Sequence, residues 1–273
     1  MAQPARVTAF LSAALLLWPA LGAAQDLQQA RGLLRLIGFD VAARQIEAEF
    51  RHPPDRFPPE MRDAWRTAAE GRFRADEIFE TAAVRMEGTL TPDEIAGLED
   101  YLSDGLGARV TALEAAAQDP DNAAQVEAEK QAYLDSLGSD FAERFDLLED
   151  CAQALQMIET SVAMVLNISY SISSGMMATG QLPGMTSEED ILASLAKQEP
   201  QIRAVVERNV LSSLAYTYRD LSDAELRAYT AFLQSEPAKA IYAVMDRAIE
   251  DVVRRDSRAL GRDLIKLSTQ ERL

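Results

Sequence analysis

Leu221-Ser-Asp-Ala-Glu-Leu226 reads as the complete start of a helix. The Ser222 hydroxyl can accept the backbone N–H three residues on, and Glu225 can return the bond to the Ser222 backbone N–H, closing a capping box. Leu221 and Leu226 bracket the box as a hydrophobic staple, which sets the angle at which the chain runs into the helix. The same grammar occurs at Leu90-Thr-Pro-Asp-Glu-Ile95. There Thr91 caps, Glu94 reciprocates, Leu90 staples onto Ile95, and Pro92 takes the first helical position, where its missing N–H costs nothing.

The two starts lie 131 residues apart, and the match continues without a gap. Ile95, Leu98, Tyr101 and Leu102 fall on Leu226, Tyr229, Phe232 and Leu233, and Val110 and Leu113 fall on Ile241 and Val244. Each set marks one face of a helix and then of a following helix. Cap, staple and apolar face agree in register, so the sequence predicts an internal repeat, with Tyr101 and Phe232 buried at matching positions.

Outward from these segments the pattern stays helical. Apolar residues recur every three or four positions, as at Leu27, Ala30, Leu34, Ile37 and Val41, with Gly38 placed to kink or end that helix. No β-branched alternation marks a strand. Proline and glycine gather in connectors, at Pro53, Pro54, Pro58 and Pro59 and again at Gly180, Pro183 and Gly184. The expected fold is an all-α, multi-helix bundle of two related helical halves, residues 25–138 and 139–273.

The first 24 residues have the order of a secretory signal. Arg6 is their one charged side chain, an apolar run covers Ala9 to Trp18, Pro19 breaks it, and Gly22 and Ala24 supply small residues. Cleavage is expected before Gln25, or one residue earlier. The apolar run falls short of the roughly 20 residues a span requires, and Gln25 stands where a lipid-anchored product needs cysteine. The reading is therefore a soluble periplasmic or secreted protein with no membrane span in the mature chain.

The formal net charge is −17. A field of that sign repels nucleic-acid phosphates, so nucleic acid is excluded as a partner. The single cysteine, Cys151, permits no intrachain disulfide and reads as a small buried hydrophobe. The one histidine, His52, stands in the proline-rich connector and reads as a surface residue, which leaves no His-based metal or nucleophile site. No cofactor or metal is called for. The acidic pairs Glu99/Asp100, Glu149/Asp150, Glu188/Glu189 and Glu250/Asp251 read as solvated faces, and Arg254, Arg258 and Arg262 as a stripe of intrahelical ion pairs. Residues 161–178 carry no charge and read as a helix buried on most sides, with small residues that let neighbours approach. Met157, Met164, Met176, Met177 and Met185 read as core filler rather than a copper site.

The Leu-Ser-x-x-Glu-Leu start at 221–226, followed by Phe232-Leu-Gln-Ser-Glu-Pro237, resembles the domain-of-unknown-function 2059 family of exported bacterial proteins. The best match covers residues 200–250, and Ala30-Arg-Gly-Leu-Leu-Arg-Leu-Ile-Gly38 is similar to that family's N-terminal helix. The first copy departs after Tyr101, where Ser103-Asp-Gly-Leu-Gly107 lacks the Ser-Pro pairing. The resemblance implies capped helices and carries no catalytic residue. Leu90, Thr91, Glu94, Ile95, Tyr101, Leu221, Ser222, Glu225, Leu226 and Phe232 are thus structural motif positions. The functional expectation is a non-enzymatic binding or interaction module that holds a protein partner or an apolar ligand in a groove between helices. The rival is a hydrolase that works on envelope polymers through acidic residues. It would need two carboxylates converging in a cleft, one with a raised pKa.

Overall fold

A computed structural model describes residues 18–54, 57–137, 142–178 and 187–270. These residues form twelve α-helices and one short 3-10 turn, with no strand among them. In chain order the helices are α1 Trp18–Leu36, α2 Phe39–Arg51, α3 Pro59–Ala69, α4 Ala75–Met86, α5 Pro92–Ser103 and α6 Gly105–Gln118, then α7 Ala123–Ser136, α8 Ala142–Ala154, α9 Met157–Met177, α10 Glu188–Thr217, α11 Asp223–Leu233 and α12 Glu236–Gln270.

Both anticipated helix starts are present as capping boxes. The Thr91 hydroxyl accepts from the Glu94 N–H at 3.3 Å, and the Glu94 carboxylate accepts from the Thr91 N–H at 2.8 Å. Ser222 and Glu225 repeat this at 3.3 and 2.7 Å. These bonds hold the Glu94 and Glu225 carboxyls below their usual range. The second start is further clamped. Arg109 on α6 pairs with Glu225 at 2.5 Å, and Arg144 on α8 reaches Asp223 at 2.6 Å and the Tyr218 and Leu221 carbonyls at 2.7 Å. A third box, Ser187 with Asp190, opens α10. Gly38, at φ +78°, separates α1 from α2 as expected.

Three apolar cores hold the helices together, and α12 enters two of them. One joins α1, α2, α4 and α5 to Ile241, Val244 and Ala248 of α12. A second gathers Val110 of α6, Leu148 and Cys151 of α8, the end of α10, and Leu226, Tyr229 and Leu233 of α11. A third sets Trp65 and Phe73 against Val253, Leu260 and Leu264 of α12. Phe73 takes φ +54°, stacks on Phe50 at 3.8 Å, and donates its N–H to the buried Asp256 at 2.7 Å. That bond satisfies a backbone donor that would otherwise be costly to bury.

The uncharged segment forms most of α9, but it is buried along one face rather than on most sides. Val162, Ser171, Ser174 and Gly175 are buried, while Val165 is 37% exposed. The close approach is real. A Cβ on Gly175 would sit 2.2 Å from the Arg258 carbonyl, and one on Gly261 would sit 2.1 Å from the Ile172 carbonyl. The two glycines therefore let α9 and α12 meet backbone to backbone. Among the described residues no helix is long and apolar enough to cross a membrane. Residues 1–17 of the expected export signal, the Gly180–Gly184 loop, Met185 and the expected boundary at 138/139 lie outside the described residues. Pro19 lies at the start of the described part of α1, and the apolar run before it lies outside the described residues.

Candidate functional site

Glu114 is the residue around which a site is built. It lies on α6 four residues after Val110, on the face turned toward the second core. Helical spacing therefore carries an acid into apolar surroundings. Tyr218, which follows α10, donates its hydroxyl to Glu114 Oε1 at 2.5 Å, and Tyr229 on α11 donates to the same oxygen at 2.7 Å. The Tyr242 hydroxyl on α12 lies 3.3 Å from that of Tyr229. Since the Tyr229 proton is committed to Glu114, Tyr242 donates to Tyr229, and the protons run in one direction toward Oε1.

Burial pushes the Glu114 carboxyl above the usual carboxylate range, against the two tyrosine hydrogen bonds, which act the other way. Burial first, and then the proximity of Glu114, raises Tyr218, Tyr229 and Tyr242 as well. Cys151 on α8 is buried beside this cluster, and desolvation raises its thiol to about 12, so it is an inert thiol.

Glu114, Tyr218, Tyr229, Tyr242 and Cys151 all line one cleft of about 390 Å³. Its other walls include Leu155, Met157, Val210, Leu214 and Leu233, with Gln45, Gln118, Asn209, Ser213 and Thr217 supplying neutral polar groups. Among the described residues no Lys, Arg or His lines it, and Glu114 is its only acid. A small cavity of about 60 Å³ lies against Glu114 and Tyr242 as well, beside Gly38 and Phe39.

A larger concavity, about 1090 Å³, opens between α1, α2, α3 and α4. Six arginines and five acids line it; Arg51 pairs with Glu47 and Arg74 with Asp76, Arg66 and Arg72 pair with Asp63 and Asp263 beyond the lining, both at 2.5 Å, and Arg35 and Arg44 make no ion pair among the described residues. Its lining is charged and of mixed sign.

The sequence-predicted positions fall as follows. Leu90, Leu221 and Leu226 are buried, Ile95 is half-buried, and Thr91 and Ser222 are exposed with their reciprocating Glu94 and Glu225 half-buried. Tyr101 and Phe232 are half-buried rather than buried, and part of the cover they have comes from each other, with their rings stacked at 4.0 Å. The stack bridges the first two cores, since Phe232 packs against both. His52 is an exposed residue whose Nδ1 lies 2.8 Å from the Ala48 carbonyl oxygen. Arg254 makes the expected intrahelical pairs with Glu250 and Asp251, whereas Arg258 and Arg262 have no carboxylate within ion-pair distance among the described residues. No group of three or more His, Cys, Asp or Glu side chains is arranged to hold a metal among the described residues. Glu114 and its tyrosines were not anticipated. The available signal was an acid on the apolar face of Leu106, Val110, Leu113 and Ala117.

Comparison with known proteins returns no family profile, no curated protein and no solved structure that matches this chain.

Proposed function

We propose that the chain is an exported, non-enzymatic helical binding module that takes an apolar small molecule into the cleft over Glu114. The observation that carries this reading is the cleft itself. Its walls are mainly apolar, and a few convergent neutral polar groups sit around one carboxyl held by tyrosine hydroxyls, the usual make-up of a small-molecule site. Seven helices contribute to it, α2, α6, α8, α9, α10, α11 and α12, so most of the polar groups are held on rigid elements. The hydrolase reading has one of its two requirements, a carboxyl with a raised pKa, but no second acid shares that cleft among the described residues.

The helix pairs α5–α6 and α11–α12 belong to this proposal as related copies, in a chain that resembles the domain-of-unknown-function 2059 family. Three observations support the relation. Both pairs start at a shift of 131 residues, Pro92 to Asp223 and Gly105 to Glu236. Packing is reciprocal: Val110 of α6 sits with Leu226 and Leu233 of α11, and its counterpart Ile241 of α12 sits with Leu98 and Leu102 of α5. Counterparts also meet each other, Tyr101 on Phe232, as residues near a two-fold axis do. The polar cluster breaks this symmetry, because the counterparts of Glu114 and Tyr229 are Met245 and Leu98. A buried polar network present in one copy alone is where function is expected to override packing.

Titration with N-phenyl-1-naphthylamine tests the binding reading. Its fluorescence should rise saturably with one site on the wild type. The rise should be lost in Ser213→Trp, a substitution at an exposed residue on the cleft rim that leaves the cores untouched. Equal binding by both proteins would place the probe elsewhere and refute the assignment.

A further inference from the structure

The hydrogen-bond directions in the cluster restrict what the cleft can hold. This step rests on the cleft reading above. Glu114 Oε1 receives two hydroxyl protons, from Tyr218 and Tyr229. Both protons are therefore spent on one oxygen, which acts as the carbonyl oxygen of the acid group. Tyr242 spends its own proton on Tyr229. Oε2 makes no hydrogen bond to the described residues, yet it is not sealed into the interior as the unpartnered Tyr101 hydroxyl is. Among the described residues no Lys, Arg or His lines the cleft to hold Glu114 as an anion, and an unpaired carboxylate among apolar walls is costly, so the surroundings favour the neutral acid. Its remaining proton belongs on Oε2, because an oxygen that already accepts two donors is the poorer place for it. The cleft holds no cation that would neutralise an anionic head group, and bringing a charge into it unpaired is costly.

We infer that the cleft is specific for an apolar chain or ring carrying a neutral hydrogen-bond acceptor, a ketone, ester or amide carbonyl, which takes the Glu114 Oε2 proton. A carboxylate-headed amphiphile is excluded by the same arrangement. With Oε1 saturated by tyrosines and Oε2 as donor, Glu114 is the group that reads the head, while Leu155, Val210 and Leu214 read only apolar bulk.

Displacement of N-phenyl-1-naphthylamine by decane, decan-2-one and decanoate near neutral pH tests this on the full chain. The expected result is that decan-2-one binds about tenfold more tightly than decane, the worth of one good hydrogen bond in a dry site, and that decanoate binds more weakly than either. Glu114→Leu should erase the difference between ketone and alkane. Glu114→Gln should restore it, because the amide oxygen can take both tyrosine protons and leave the amide N–H as donor. The Gln variant also keeps the tyrosines satisfied, so it reports even if the Leu variant fails to fold. Equal affinity for ketone and alkane in the wild type would overturn the head-group inference and leave the cleft as a site. Tightest binding of decanoate would overturn it too. Displacement by none of the three, or no probe binding at all, would remove the cleft reading on which the inference stands.

Discussion

The ring of Tyr101 lies on the ring of Phe232, with centroids 4.0 Å apart and planes 14° from parallel. One ring comes from α5 and the other from α11, so the contact ties the two capped helices directly to each other. Each aromatic is half-buried and takes part of its cover from the other. Truncating either to Ala should cost less than the roughly 3–5 kcal/mol of a fully buried aromatic, and still more than the about 1 kcal/mol expected for Thr91→Ala or Ser222→Ala. The double variant should show a coupling of about 1 kcal/mol, typical of stacked pairs. Equilibrium denaturation of the two single variants and the double variant measures this. Strict additivity would mean that the stack contributes nothing beyond each ring's own burial.

Glycine substitutions separate contact from propensity. Gly175→Ala and Gly261→Ala each drive a methyl into backbone atoms of the opposite helix. Neither backbone has a flexible end that can yield, so each should cost about 1–3 kcal/mol or more. Gly97→Ala, inside α5 with nothing within 4 Å of the new methyl, should instead stabilise by about 0.5–1 kcal/mol. Thermal unfolding of the three proteins would show opposite shifts. A neutral Gly261→Ala would mean that α9 and α12 do not pack as closely as described.

The capped starts at 91 and 222, their staples and the faces behind them were legible because each is a local pattern of a few residues with a defined hydrogen-bond grammar. The Ser187–Asp190 box is less legible, because Asp stands where Glu is the commoner partner. The cleft was not legible for a different reason. Glu114, Tyr218, Tyr229 and Tyr242 come from α6, the loop after α10, α11 and α12, and nothing in sequence spacing says that they converge. The exposure of one face of α9 also depended on tertiary neighbours. A segment without charge fits a half-covered helix as well as a central one, and only the packing on α12 shows which.

Desolvation raises Asp246 on α12 to about 6, with Glu114 raised in the same direction. A carboxyl raised in the folded state holds its proton where the unfolded chain, near 4, has lost it. The folded state then binds more protons than the unfolded state, so this contribution to stability is present below about pH 4 and is lost as pH rises toward about 6. Asp246→Asn removes it. Relative to wild type, the variant should gain about 2 kcal/mol on going from pH 4 to pH 7. Urea denaturation of both proteins at the two pH values tests the sign. A variant that loses ground between those values would contradict the burial of Asp246.

Export makes a separate prediction. Protein produced from the full-length sequence and released by osmotic shock should begin at Gln25 or Ala24, on N-terminal sequencing. That cut falls within α1 but spares Leu33, Leu34 and Ile37, which anchor the helix in the first core. Recovery of uncleaved chain in the membrane pellet would remove the export assignment while leaving the cleft intact.

Whether the space over Glu114 is a ligand site is decided by a crystal structure of the protein grown with saturating decan-2-one. The alkyl chain is expected against Leu155, Val210 and Leu214, with the ketone oxygen within hydrogen-bond distance of Glu114 Oε2 and the Tyr218 and Tyr229 bonds retained. A cleft that stays free of ligand at saturation, or a ketone seated on the exposed face of α9 instead, would contradict it.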